Sequence, residues 1–236
     1  MKDIIEKIRV QLVQQGDEKI RIATLRFFKE EIQCYGLKSA TVTAISNEHF
    51  KLIKDCSKKE VFDLCEILWQ SDYMEEHMIA CSWSLKMKKK YEIQDFELFK
   101  SWIDQYITNW ATCDTFCNHN MGTLIEMFPQ LIPNLKEFTT SPNRWMKRAA
   151  AVSLIVPARK GLFLEDMFDI ANILLMDPDD MVQKGYGWML KVASQKHLKE
   201  VYDFVIKNKS VMPRTSLRYA IEKMPVDFKK QAMSKN

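Results

Sequence analysis

NWATCDTF, residues 109–116, sets a tryptophan and an aspartate four places apart in an otherwise uncharged stretch. Residues three or four apart share a helix face, so as a helix this stretch presents Trp110 and Asp114 on the same side. An unpaired carboxylate is expensive to bury among apolar neighbours. Asp114 is therefore solvated, paired with a cation, or kept for chemistry.

The stretch belongs to a series. MEEHMIAC (74–81), WMKRAAAV (145–152), MVQKGYGW (181–188) and TSLRYAIE (215–222) read as versions of the same helix. With His77, Asp114, Arg148, Lys184 and Arg218 as equivalent positions, the steps are 37, 34, 36 and 34 residues. Second helices such as FELFKSWIDQYI (96–107) and MFDIANILLM (167–176) lie between them, with apolar residues at three- and four-residue spacing. Pro142, Pro178 and Pro213 stand at the starts of helical runs, and SPN (141–143) and DPDD (177–180) supply capping oxygens. No alternating strand pattern of useful length and no glycine-rich phosphate loop is present.

Paired helices at this period predict an all-α chain, an α-solenoid of HEAT-like helical repeats forming one domain over residues 1–236. A globular helical bundle is the alternative. In a solenoid, equivalent helices line one face, usually the concave one. Asp114, Arg148, Lys184 and Arg218 then form a row, with Trp110 and Trp188 on nearby turns. A concave basic face with aromatics suits a nucleic-acid backbone, because charge attraction supplies most of such affinity. Asp114 is the acidic exception in that row.

Composition narrows the function classes. Of the 236 residues, 47% are hydrophobic and 28% charged, ordinary values for a globular protein. No uncharged apolar run approaches the roughly 18 residues of a membrane span. The N-terminal stretch MKDIIEKIRVQLVQQGDEKIR is charged throughout, unlike a secretory signal. The six cysteines (34, 56, 65, 81, 113 and 117) show no framework spacing, which points to reduced core thiols and a cytoplasmic protein. Cys113, Cys117 and His119 are the tightest Cys/His cluster, yet a structural zinc site needs a fourth ligand, so no metal is expected. Residues 1–140 carry 18 Lys/Arg against 21 Asp/Glu, while residues 141–236 carry 17 against 10. The basic half is compatible with a polyanionic partner.

YGLKSATV (35–42), LWQSDYMEEHMIA (68–80), NWATCD (109–114), SPNRWMKRAA (141–150) and GYGWMLK (185–191) together resemble AlkD-type DNA alkylation repair proteins, the HEAT-like-repeat glycosylases, over nearly the whole chain. The resemblance implies a DNA glycosylase that releases N3- or N7-alkylated purines from duplex DNA, acts as a monomer, needs no cofactor and associates with the nucleoid when bound. It implies lesion contacts for Trp110 and Trp188, a place beside the sugar for Asp114, and a hold on the DNA backbone for Arg148. Arg144, Lys147, Lys184, Arg214 and Arg218 are the further candidates for phosphate contacts. One departure stands beside Trp110, where the family often has an aspartate and this chain has Ala111. Some relatives of the same scaffold lack excision activity, so a non-catalytic protein that binds unusual DNA structures or a protein partner is the competing expectation.

The residue types suit that chemistry on physical grounds. An N3- or N7-alkylated purine already carries positive charge, so it departs as a neutral base without a general acid. Positive charge develops on the sugar instead, as in glycoside hydrolysis, and a fixed carboxylate stabilises it. Tryptophan faces attract cations, and arginine grips phosphate through paired hydrogen bonds. Other roles remain open for the same residues. The tryptophans could be core, Asp114 could pair with Arg148, and Arg148 could bridge repeats. His77, beside Glu75 and Glu76, reads as structural.

Overall fold

The periodic stretches are helices, and each of the five equivalent segments coincides with one. The computed structural model describes residues 2–234, and the chain divides into two compact units, Met1–Phe116 and Cys117–Asn236. Among the described residues there is no strand; an isolated bridge joins Gln33 to Tyr73.

The first unit holds α1 (Lys2–Gln15), α2 (Glu18–Leu25), α3 (Ser39–Phe50), α4 (Lys58–Trp69), α5 (Met74–Lys86), α6 (Asp95–Tyr106) and α7 (Trp110–Phe116). Helix α5 packs between α3 and α7 and also against α4. Ser57 begins α4 with a reciprocal capping box, its hydroxyl accepting from the Glu60 amide while Glu60 reaches back to the Ser57 amide. The core is aromatic. Phe116 meets Trp69 edge-on at 5.4 Å, Phe99 at 5.1 Å and Trp102 at 5.9 Å. Such pairs contribute roughly 0.5–1.5 kcal/mol each beyond the area they bury. The C-terminal end of α7 is thereby fixed in the middle of the unit.

The second unit holds α8 (Gly122–Met127), α9 (Ile132–Glu137), α10 (Arg144–Val152), α11 (Ile155–Arg159), α12 (Leu164–Ile173), α13 (Asp180–Ala193), α14 (Leu198–Asn208), α15 (Arg214–Ile221) and α16 (Val226–Met233). Helices α10, α13 and α15 lie side by side, and α12, α14 and α16 pack behind them. The GYG of residues 185–187 makes this row close. A Cβ on Gly187 would stand 2.7 Å from the Tyr219 Cβ and 2.9 Å from the Ser216 carbonyl oxygen, so only glycine lets α13 and α15 approach this far. Between the glycines, the Tyr186 hydroxyl donates to the Leu175 carbonyl at 2.8 Å and lies 2.6 Å from the Ser216 hydroxyl. Burial pushes the Tyr186 phenol up to about 12.

The repeat is also written in the long-range bonds. The Trp83 indole donates to the Ser46 carbonyl across 37 residues, Ser46 bonds Ser82 across 36, and Lys58 pairs with Asp95 across 37. In the second unit Arg144 reaches Asp179 across 35 residues and Lys136 reaches Asp169 across 33. Separations near one period are what stacked helix pairs produce, since each pair touches its neighbours.

Candidate functional site

Helix α7 sorts its residues by face. Thr112, Cys113 and Phe116 are buried, whereas Trp110, Ala111, Asp114 and Thr115 are half-exposed. Trp110 and Asp114 therefore share the face that the aromatic core leaves uncovered, one turn apart. Asn109 starts the helix. It is buried, and its side-chain oxygen accepts the Thr112 amide at 2.9 Å, the interaction of an N-cap. Trp110 is thus the first helical residue, with its backbone set by Asn109. Its indole stacks on Phe28, with ring centroids 5.2 Å apart and planes at 20°. Neither Asn109 nor Phe28 stands out in the sequence; the Asn–x–x–Thr spacing could have disclosed the cap, but no local pattern discloses the stack.

The preceding repeat is built on buried carboxylates. Glu75 accepts the amides of Tyr35, Gly36 and Leu37 at 3.0–3.2 Å. Glu76 accepts the Tyr35 hydroxyl at 2.8 Å and two bonds from the Arg9 guanidinium at 3.0 Å. His77 bonds through Nε2 to the carbonyls of Trp69 and Ser71, at 3.1 and 2.7 Å. Both partners are acceptors, so Nε2 carries the proton and Nδ1 does not. Burial holds the His77 pKa below the usual imidazole range, against the smaller opposing pull of the two carbonyls. His77 is neutral and structural. A cleft of about 420 Å³ opens in this unit, lined among others by Trp69, Asp72, His77, Tyr106 and Asn109; neither Trp110 nor Asp114 lines it.

In the second unit the sequence-derived candidates part company. Trp188 and Lys184 are half-exposed, four apart on one face of α13. Arg148 is only 5% exposed; its Nη1 donates to the Met181 carbonyl, and its Cγ lies 3.2 Å from where a Gly185 Cβ would be. Gly185 thus makes room for the arginine against α13. Arg144 and Lys147, expected as phosphate contacts, pair with the acidic turn before α13, and Lys184, expected likewise, pairs with Asp180 in the first turn of α13 itself. Asp179 caps α13 through the Met181 and Val182 amides and holds Arg144 by one hydrogen bond from Nη2 at 3.0 Å, with Nε in ion-pair contact at 2.9 Å. Asp177 takes Lys147 at 2.8 Å, and Asp180 takes Lys184 at 3.0 Å. For Arg144 and Lys147 the reason is distance along the chain. DPDD is read locally as a cap, but folding brings it against the start of α10, about one repeat earlier. Arg214 and Arg218 are exposed on α15, and no ion pair to either is found among the described residues. A positive surface for a polyanion therefore has its clearest support at α15.

The cysteines are free thiols, five of them buried, and among the described residues no group of three His, Cys, Asp or Glu side chains could hold a metal ion. No helix is long and apolar enough to cross a membrane among the described residues.

The fold has a solved counterpart. A structure described as a predicted DNA alkylation repair enzyme from Enterococcus faecalis superposes with a TM-score of 0.80 at 16% identity, covering 90% of this chain and 98% of its own. No curated protein matches. The family model for DNA alkylation repair enzymes matches residues 8–224, which include every candidate residue named above. With the repeat fold in place and the Trp110–Asp114 face formed, the chain belongs to the DNA alkylation repair enzyme family.

Proposed function

We propose that this protein is a DNA glycosylase that hydrolyses the N-glycosidic bond of N3- and N7-alkylated purines in duplex DNA, the whole chain acting as one monomeric repeat domain. The observation that carries the proposal is the half-exposed face of α7, where Asp114 and Trp110 stand one turn apart on a helix locked by Phe116 into an aromatic core. A carboxylate so held needs no reorganisation when charge develops beside it. That is the condition under which electrostatic stabilisation is strong, on the order of 3 kcal/mol for one preorganised group.

The reaction follows from the lesion. The alkylated purine is cationic, so the C1′–N bond breaks with the bonding pair going to the base, which leaves neutral. Asp114 faces the sugar and stabilises its positive charge while orienting the water that adds at C1′. That water gives up a proton to bulk solvent, and an abasic site remains. Trp110 and Trp188 favour the cationic nucleotide through their π-faces. Arg148 has a positioning role, holding α10 against α13, and exposed cations such as Arg214 and Arg218 attract the backbone. No lysine nucleophile takes part, so the strand is not nicked. The protein carries this out where the DNA is, in the cytoplasm at the nucleoid.

Release of free 3-methyladenine or 7-methylguanine from methylated duplex DNA tests the proposal. Wild-type protein releases the base and Asp114→Asn does not; release by both proteins at equal rates would remove Asp114 from the mechanism. Binding without excision is the second reading, and one observation favours it: Ala111 stands beside Trp110 where the family often has an aspartate. A protein that holds unusual DNA structures or a protein partner but releases no base would establish that reading instead.

A further inference from the structure

Trp110 is the first residue of α7 and so lacks the preceding helical turn over which helix side chains normally lie. Its own helix cannot fix the plane of the indole. The structure supplies that constraint from elsewhere in the unit. Phe28 lies nearly parallel to the indole, with centroids 5.2 Å apart. Two aromatic layers at van der Waals separation around a third ring would need about 7 Å, so no base fits between them.

Phe28 is itself held by a traceable series of contacts. The buried Glu75 carboxylate pins the amides of Tyr35, Gly36 and Leu37. The Gly36 carbonyl accepts the Asp17 amide at 3.1 Å, and Asp17 caps α2 through the Lys19 and Ile20 amides. Gly36 has φ +86°, and a Cβ there would lie 2.4 Å from the Asp17 carbonyl oxygen, so this junction requires glycine. Helix α2 buries none of its own residues, and Phe28 follows it in a turn closed by its amide onto the Leu25 carbonyl.

We infer that Phe28 is a positioning residue for lesion recognition: by covering one face of Trp110 it fixes the indole plane and leaves the opposite face for the cationic nucleotide. The inference rests on the glycosylase proposal and assigns Phe28 a role that acts through Trp110. Segment 17–37 becomes part of the site's support, and α2 is retained although it contributes nothing to the core.

A double-mutant cycle tests it, read on excision of 7-methylguanine from duplex DNA under single-turnover conditions with Phe28→Ala, Trp110→Ala and the double variant. Phe28→Ala lowers the rate constant about two- to tenfold in the wild-type background, the effect of losing one aromatic pair. In the Trp110→Ala background it lowers it no further. Phe28→Tyr keeps the flat ring and restores the wild-type rate, whereas Phe28→Leu fills the space without a ring and does not. If Phe28→Ala fails to fold, the Tyr and Leu variants carry the comparison alone. Equal losses in both backgrounds, or full activity in Phe28→Leu, would overturn the inference. If wild type releases no base yet prefers lesion duplex to undamaged duplex, excision has failed and the same cycle is read on that preference. Neither release nor preference would sink the proposed function and the inference with it.

Discussion

Helix α7 in the first unit and the α10–α13 pair in the second are successive versions of one repeat, and they are anchored by different means. In α7, Asp114 and Trp110 stand half-exposed while an aromatic cluster holds the other face. In α10 and α13, Arg144, Lys147 and Lys184 are tied to Asp179, Asp177 and Asp180, and Arg148 is buried. Apolar packing anchors the first helix; in the second pair Arg144 and Lys147 tie α10 to the turn before α13, and Lys184 pairs within α13. A charge count is therefore a poor guide to a binding surface, because a cation already facing a carboxylate has little field left for phosphate.

The contrast is most exposed to disproof at Asp114. Replacement by asparagine lowers the excision rate constant at least about 100-fold, the loss seen when one preorganised charge-stabilising group is removed. DNA affinity is unchanged or rises, because a negative charge is removed near phosphate. Excision assays and binding isotherms on the same preparations check both halves.

In the second unit the largest effect is on stability. Gly187→Ala forces α13 and α15 apart, because the added Cβ meets backbone and a Cβ atom rather than a movable side-chain end. Overpacking of this kind costs about 1–3 kcal/mol, a fall of roughly 3–10 °C in the melting midpoint. Gly185→Ala meets the Arg148 Cγ at 3.2 Å and costs less. Thermal melts of the two variants rank them.

Salt dependence separates the free cations from the paired ones. Removing one cation that neutralises a DNA phosphate lowers the slope of log affinity against log salt by about 0.9. Arg214→Ala and Arg218→Ala each lower it by about that amount, while Lys147→Ala leaves it unchanged, since Asp177 already neutralises that lysine. A flat response to the arginine variants with a steep one to Lys147→Ala would reverse the assignment.

The smallest effect is in acid. The native His77 pKa lies below the ordinary 6.5, so below that pH the unfolded chain takes up a proton that the folded one refuses. Stability contributed by neutral His77 is complete above pH 6.5 and declines as pH falls toward the lowered native value. His77→Gln, which keeps a donor near the two carbonyls, flattens this part of a melting-temperature profile between pH 7 and 5.

The repeat was legible because its signals are local. Apolar spacing, the caps in SPN and DPDD, and the prolines at helix starts all act within a few residues, and α10, α13 and α15 begin where those signals stand. The one-turn separation of Trp110 and Asp114 was legible for the same reason. What escaped depends on neighbours one or more repeats away. The aspartates of DPDD read as capping residues and not as partners of Arg144 and Lys147. Gly185 and Gly187 read as part of a motif and not as points of close approach. The π-helical turn Cys117–Met121 runs directly into Gly122, and no periodicity announces it. Phe28 sits 82 positions before the indole it covers, and no periodicity links them.

Asp114 is the residue at which catalysis and binding should separate. Single-turnover release of 7-methylguanine and equilibrium binding to the same duplex, measured side by side on wild type and Asp114→Asn, decide whether they do. A glycosylase built on Asp114 gives base release by wild type alone, with equal or tighter binding by the variant. Equal release by the two, or no release by a wild type that binds the duplex fully, would contradict it.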